Sequence, residues 1–269
     1  MEEKEAKKKE KEKKKKKKHE KEEKEKKKKE EKEEEGEGEK EKKKKKGGGG
    51  GGGGERGEEV LNKYVHNLGM DEHWNFVDVY GLDTELLAMV PRPVAAVMLL
   101  FPSSKGLEPL GEVQTDYPKD LFYTKQTIGN ACGTVAIVHA LANNQKQITF
   151  DESKHFKTFL EMTQAMNAED KAKYLEKDEQ MGAAHEDCAQ EGDTQAPSVD
   201  EHVKSHFVTF VNCNGNLYEL DGRKDGPVFH GQTNADSFLE DAVDVVKKFI
   251  ARDPDNVNFN VMALVHGSE

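Results

Sequence analysis

The run His206-Phe-Val-Thr-Phe-Val-Asn-Cys213, then Asn214-Gly215, then Asn216-Leu-Tyr-Glu-Leu-Asp221 reads as two strands around a two-residue turn. Asn-Gly is favoured in such turns because both central residues need positive φ. A turn of that length fixes the register, so Cys213 faces Asn216, Phe210 faces Glu219 and His206 faces Arg223. Faces repeat every second residue. Asp221 therefore shares the face of His206 and lies diagonal to it, with backbones roughly 7–8 Å apart, within reach of long side chains. Such a carboxylate can hold one imidazole nitrogen while the other accepts a proton from a nucleophile. Taken alone, an ordinary surface His–Asp contact is the simpler account.

Cys132 changes that balance. It stands at the start of an expected helix, after Asn130-Ala131, where unpaired N–H groups and the helix dipole favour a thiolate. An isolated reduced cysteine is commonly a small buried apolar residue, but that reading must also explain the ready-made His–Asp pair. Gly133 leaves space beside the sulfur. Gln126, six residues earlier, could turn its amide toward the thiol and donate to an oxyanion, with the Cys132 N–H as second donor.

The elements that must position these residues alternate irregularly between helix and strand. Residues 58–68 place Val60, Leu61, Tyr64, Val65 and Leu68 on one helical stripe, with Gly69 as a C-terminal cap. Residues 76–81 read as a short strand. Asp83 then caps a helix through Leu86, Leu87 and Val90, stopped by Pro91 and Pro93. The continuous apolar run at 94–101 is a strand buried on both faces, and residues 102–121 are polar loop. Residues 130–141 form an apolar core helix. Helices follow at 153–162 and 168–177, the second capped by Asn167. After the hairpin come an amphipathic helix at 237–252 and a final strand at 258–265. With hairpins but no strand–helix–strand repeat, the fold class is α+β, a mainly antiparallel sheet covered by helices.

Composition divides the 269 residues sharply. Residues 1–46 hold 24 of the 42 basic and 17 of the 53 acidic residues, so the remainder carries a net −18. The Lys/Glu tail has almost no apolar surface with which to offset the entropy of ordering. Its interspersed glutamates weaken any basic field toward nucleic acid. Residues 47–57 are a glycine-rich linker, and no Gly-Lys-Ser/Thr follows to make a phosphate loop. Residues 58–269 suffice for one well-cored domain. No apolar run approaches the roughly 20 residues of a membrane helix. Three cysteines point to a reducing compartment, with a cytoplasmic and also nuclear location as the expectation.

The segment Gln126-Thr-Ile-Gly-Asn-Ala-Cys-Gly-Thr-Val-Ala-Ile-Val-His-Ala-Leu-Ala-Asn-Asn144 closely resembles the active-site stretch of the ubiquitin C-terminal hydrolases. A second match runs from His206 through the hairpin to Arg223. Trp74-Asn-Phe-Val-Asp-Val-Tyr-Gly81 and Pro91-Arg-Pro-Val94 resemble the compact, single-domain members. The resemblance spans roughly 58–265 and none of the tail or linker. It implies a papain-like cysteine peptidase fold, a triad of Cys132, His206 and Asp221, and Gln126 in the oxyanion hole. It also implies that residues 182–204 are the loop crossing the active site. The implied partner is ubiquitin, and in some members Nedd8, joined through its C-terminal glycine to a peptide, amine or thiol. No cofactor, metal or membrane is implied, and a monomer is the expectation. An acidic domain suits the basic C-terminal tail of ubiquitin. Members of the family begin with an apolar, proline-containing segment before the first helix; here the glycine-rich residues 47–57 stand in that place.

Other chemistry-bearing residues fit plainer roles. His185, Cys188 and His202 have loose spacing and no second paired motif, so they make a poor metal set. Cys213 faces away from His206 and is structural. Trp74 belongs to the core, and His139 reads as a satisfied buried residue. Two rival functions remain: a module that binds and protects free ubiquitin without turnover, and a cysteine hydrolase acting on unrelated small amides.

Overall fold

The computed structural model of the chain describes residues 57–102, 108–128, 131–181, 205–254 and 258–267. The Lys/Glu tail, the linker up to residue 56 and the expected crossing loop at 182–204 lie outside the described residues.

Among the described residues, a seven-stranded antiparallel sheet has the order β1-β7-β2-β4-β5-β6-β3. Its strands are β1 (Trp74–Asp78), β2 (Val94–Pro102), β3 (Glu112–Val113), β4 (Ser205–Cys213), β5 (Asn216–Leu220), β6 (Val228–Gln232) and β7 (Asn260–His266). The apolar run at 94–101 is indeed central: every residue of β2 except Leu100 is buried, between β7 and β4. The helices are α1 (Gly57–Asn67), α2 (Thr84–Leu87), α3 (Cys132–Ala142), α4 (His155–Thr163), α5 (Ala168–Glu176) and α6 (Phe238–Ile250).

Strand alternation sorts the core into two layers. Ala96, Met98, Val211, Met262 and Leu264 pack with Tyr64 of α1, Ala136 and Ala140 of α3, and Phe156 and Phe159 of α4. Their neighbours Val97, Leu99, Val208, Phe210, Val261 and Ala263 pack with Leu87 of α2 and Leu239, Val243 and Val246 of α6. Helix α3 is apolar on all sides, with Thr134 through Ala142 buried.

Local signals in the sequence explain most element ends. Gly69 caps α1 at φ +107°, Asp83 Oδ1 accepts from the Glu85 and Leu86 N–H groups, and Asn167 Oδ1 accepts from Asp170 N–H. Helix α2 ends at Leu87 rather than Val90. The Met89 and Val90 N–H groups bond three residues back, to Leu86 and Leu87, a tight final turn before the prolines. Strands β3 and β6 were not apparent in the sequence. In β6 the pairing shifts register, so that Leu217 faces Gly231 while Tyr218 faces Phe229; this bulge breaks the alternation that reveals strands.

Leu99 has no solvent exposure, in the middle of β2. Leu99→Ala should lower unfolding free energy by about 2–5 kcal/mol in chemical denaturation; a loss below ~1 kcal/mol would contradict this account of the core.

Candidate active site

The turn at Asn214 (φ 52°) and Gly215 (φ 79°) sets the hairpin register inferred from the sequence, with Cys213 opposite Asn216 and Phe210 opposite Glu219. The ladder stops at Thr209–Leu220. Asp221 therefore leaves the strand and opens a turn, with Lys224 N–H bonding back to its carbonyl. Asp221 Oδ1 accepts from His206 Nε2 at 2.7 Å and from the Arg223 N–H at 3.0 Å. The His206 and Asp221 side chains are 3% and 8% exposed.

Tyr123 holds this turn from beneath. Its hydroxyl lies 2.8 Å from the Asp221 carbonyl and 2.7 Å from that of Lys224, and its ring stacks on His139 of α3 at 5.4 Å. Sequence reasoning missed Tyr123. His139 is neutral, pushed down to about 4 by burial, and its Nε2 accepts from Thr124 N–H. It is buried in the core as expected, but only half satisfied, its Nδ1 having no hydrogen-bond partner among the described residues.

Cys132 is the first residue of α3, where backbone N–H groups lack helical partners. The helix is fastened to the histidine strand by Thr209 Oγ1, which donates to the Ala136 carbonyl at 2.8 Å. Burial resists ionisation of the Cys132 thiol. The neighbouring His206 ring and the Phe207 N–H outweigh it, helped by the charges of His206 and Arg223, and the thiol sits below its ordinary range. For His206, burial opposes the charged ring, but the bond to Asp221 and the neighbouring Cys132 raise its pKa. For Asp221, burial works against the carboxylate, while His206, the Arg223 N–H and the Lys224 charge together lower it. These three shifts have the directions of a thiolate–imidazolium pair steadied by a carboxylate.

Gln126 lies beside this pair. Its N–H donates to the Gly222 carbonyl at 2.8 Å, and a Cβ on Gly222 would stand 2.9 Å from both Gln126 N and Cβ. Only glycine allows the two segments to approach so closely. One amide proton of Gln126 Nε2 donates to the Ile128 carbonyl at 3.0 Å, which also accepts from Ala131 N–H. The Gln126 amide is thus tied to the turn that delivers Cys132. A methyl group at Gly133 would meet the Phe207 ring at an ordinary 3.8 Å, so the space noted there is not tightly required.

Below Asp221, Glu219 is wholly buried and paired with Lys224 Nζ and with His230 Nε2 at 2.8 Å. Lys224 Nζ also lies 3.8 Å from Asp221 Oδ2. An acidic residue within an apolar strand was the sequence signal that could have marked this cluster. Cys213 is buried in the core layer with α3, and burial raises its thiol to about 11. His185, Cys188 and His202 lie outside the described residues, among which no His, Cys, Asp and Glu group could hold a metal. No helix among the described residues is long and apolar enough to cross a membrane.

Since the Cys132 pKa is lowered, its thiolate persists as pH falls below about 8.5, where a free cysteine protonates. Iodoacetamide alkylation at Cys132 should remain fast at neutral pH, while Cys213 stays unlabelled. Asp221→Asn removes the charge supporting imidazolium, so the Cys132 rate–pH curve should move upward; an unmoved curve would refute the coupling. Gly222→Ala should displace Gln126 and lower turnover of acyl substrates by on the order of 10- to 100-fold with the fold intact by circular dichroism.

The family described as "Ubiquitin carboxyl-terminal hydrolase, family 1" matches residues 55–251. A ubiquitin carboxyl-terminal hydrolase of Aplysia californica is 71% identical over 203 residues, covering 75% of this chain and 95% of its own. One from Drosophila melanogaster is 46% identical, covering 78% and 95%. The human isozyme L1 is 43% identical, covering 78% and 96%. Among solved structures, the Trichinella spiralis UCH37 catalytic domain bound to ubiquitin vinyl methyl ester superposes with a TM-score of 0.63 at 24% identity, covering 78% and 92%. That likeness establishes the fold, the papain-like α+β arrangement expected from the sequence.

Proposed function

Because the chain belongs to family 1 of the ubiquitin carboxyl-terminal hydrolases, we propose that it releases groups from the C-terminal glycine of ubiquitin through Cys132, His206, Asp221 and Gln126. The carrying observation is the 2.7 Å bond between His206 Nε2 and Asp221, on a ring that also depresses the Cys132 thiol.

In the reaction, His206 Nδ1 takes the thiol proton, and Cys132 Sγ attacks the glycine carbonyl carbon. The oxyanion is met by the Cys132 N–H and by the Gln126 amide once it turns from the Ile128 carbonyl. Collapse breaks the bond to the leaving group, which departs with the proton from His206, leaving a thioester on Cys132. Water, deprotonated by His206, hydrolyses that thioester and restores the thiol. Asp221 keeps the ring aligned and supports its positive charge without itself taking the proton.

The net −18 outside the Lys/Glu tail favours encounter with a basic C-terminal tail. The proposal extends to Nedd8 as a second substrate and to a monomer working in the cytoplasm and nucleus, where thiols stay reduced.

Turnover of a ubiquitin C-terminal aminocoumarin should vanish in Cys132→Ala. It should fall by several orders of magnitude in Asp221→Asn, and Gln126→Ala should cost on the order of 10²–10³ in kcat. If the intact protein binds ubiquitin but gives neither burst nor turnover, it is a binding module and the hydrolase reading fails. Matched electrophilic probes of ubiquitin and Nedd8 give the preference between them.

A further inference from the structure

A cavity of about 570 Å³ opens at the far end of α3 from Cys132, bordered by Phe122, Ala142, Lys146, Leu160, Lys171 and Asn212. Ala142 is ten residues along the helix from the cysteine, about 15 Å, so the cavity is separate from the reaction centre. Its volume lies within the range of small-molecule sites, which combine apolar walls with a few placed polar groups.

Lys171 is the unusual feature of its wall. The residue is only 7% exposed, yet its ammonium has no hydrogen-bonding or ion-pair partner among the described residues. Its side-chain contact is the Phe122 ring, 4.5 Å from Nζ to the centroid. A buried charge is normally paired, and an aromatic face offsets only part of the lost hydration. Burial accordingly lowers the Lys171 pKa, with no carboxylate raising it.

The remaining groups leave that charge unopposed. Asp120 is the one carboxylate lining the cavity among the described residues, and it is engaged by Lys146 Nζ at 3.3 Å and by Asn214 Nδ2 at 3.1 Å. The carbonyls ending α3 would repel an anion, but side-chain amides cover them. Asn143 Nδ2 donates to His139 O, Asn144 Nδ2 to Ala140 O and Gln145 Nε2 to Ala142 O. Phe122 and Leu160, 7% and 4% exposed, supply an apolar wall beside the ammonium.

We propose that this cavity binds a small organic anion, its carboxylate or phosphate head on Lys171 and its apolar body against Phe122 and Leu160. The site is independent of the hydrolase reading, since none of its residues belongs to the proposed triad.

The test uses the full chain and calorimetric titration with hexanoate, hexyl phosphate and the neutral hexanamide. Saturable binding of at least one anion is expected, weakened 10-fold or more in Lys171→Met, a variant that keeps the straight side chain. Ubiquitin-aminocoumarin turnover by that variant should be unchanged. The stronger of the two anions identifies the head group. In wild-type protein, independently of any variant's folding, the Lys171 side-chain NMR signal should titrate at higher pH when the site is saturated. The proposal is overturned if neither anion binds, if hexanamide binds as well as they do, or if affinity survives in Lys171→Met. An unmoved Lys171 titration on saturation overturns it equally.

Discussion

The proposed reaction centre depends on one buried hydrogen bond, from His206 Nε2 to Asp221 Oδ1. Both side chains are almost wholly out of water, so the pair has forfeited hydration that must be replaced by fixed partners. The replacement is specific. The Arg223 N–H donates to the same carboxylate oxygen, and Lys224 faces the other at 3.8 Å. Tyr123 secures the main chain on both sides of the turn. This is possible only because the β4–β5 ladder stops one residue before Asp221. Had pairing continued, the backbone of Asp221 would be committed to β4, and its carboxylate would have remained a diagonal neighbour of His206.

The same strand carries Glu219, two residues before Asp221 and on the same face. Two buried carboxylates so placed would repel, and each would favour protonation of the other. Lys224 lies between them, bonded to Glu219 and close to Asp221, while His230 binds the far oxygen of Glu219. The bulge that obscured β6 in the sequence falls at His230, the residue between the paired Phe229 and Gly231. A defect in strand pairing thus coincides with the imidazole that closes this charge cluster, and the cluster lets Asp221 remain ionised beside its own strand neighbour.

How much of this was legible follows from the range of each interaction. The hairpin register was readable because Asn214-Gly215 fixes it locally, and it placed Asp221 near His206; the direct bond was not, because the ladder stops at Thr209–Leu220 and His206 never pairs with Arg223. Helix α3 and strand β2 were readable because burial on every side writes a continuous apolar run. Tyr123 was not, since its role is a hydrogen bond to residues about a hundred positions away. Gln126 was readable as a donor type, but its placement rests on the close approach of Gly222, which no periodicity records. The two-residue strand β3 is shorter than any alternation can show.

Helix α3 explains why the proposed nucleophile, Cys132, can be held so firmly. A helix apolar on all sides has no stable orientation except full burial, and packing at interior density resists displacement. Thr209 removes the remaining freedom to slide by fastening Ala136 to the strand that bears His206, four residues from the cysteine and three from the histidine. Sulfur and imidazole therefore ride on two elements clamped to each other, and their mutual position is set by the core rather than by the substrate. The Gln126 amide is placed differently, donating to a carbonyl in its own segment rather than to the core. In the proposed reaction this amide exchanges the Ile128 carbonyl for the oxyanion, a change of partner at the end of one side chain.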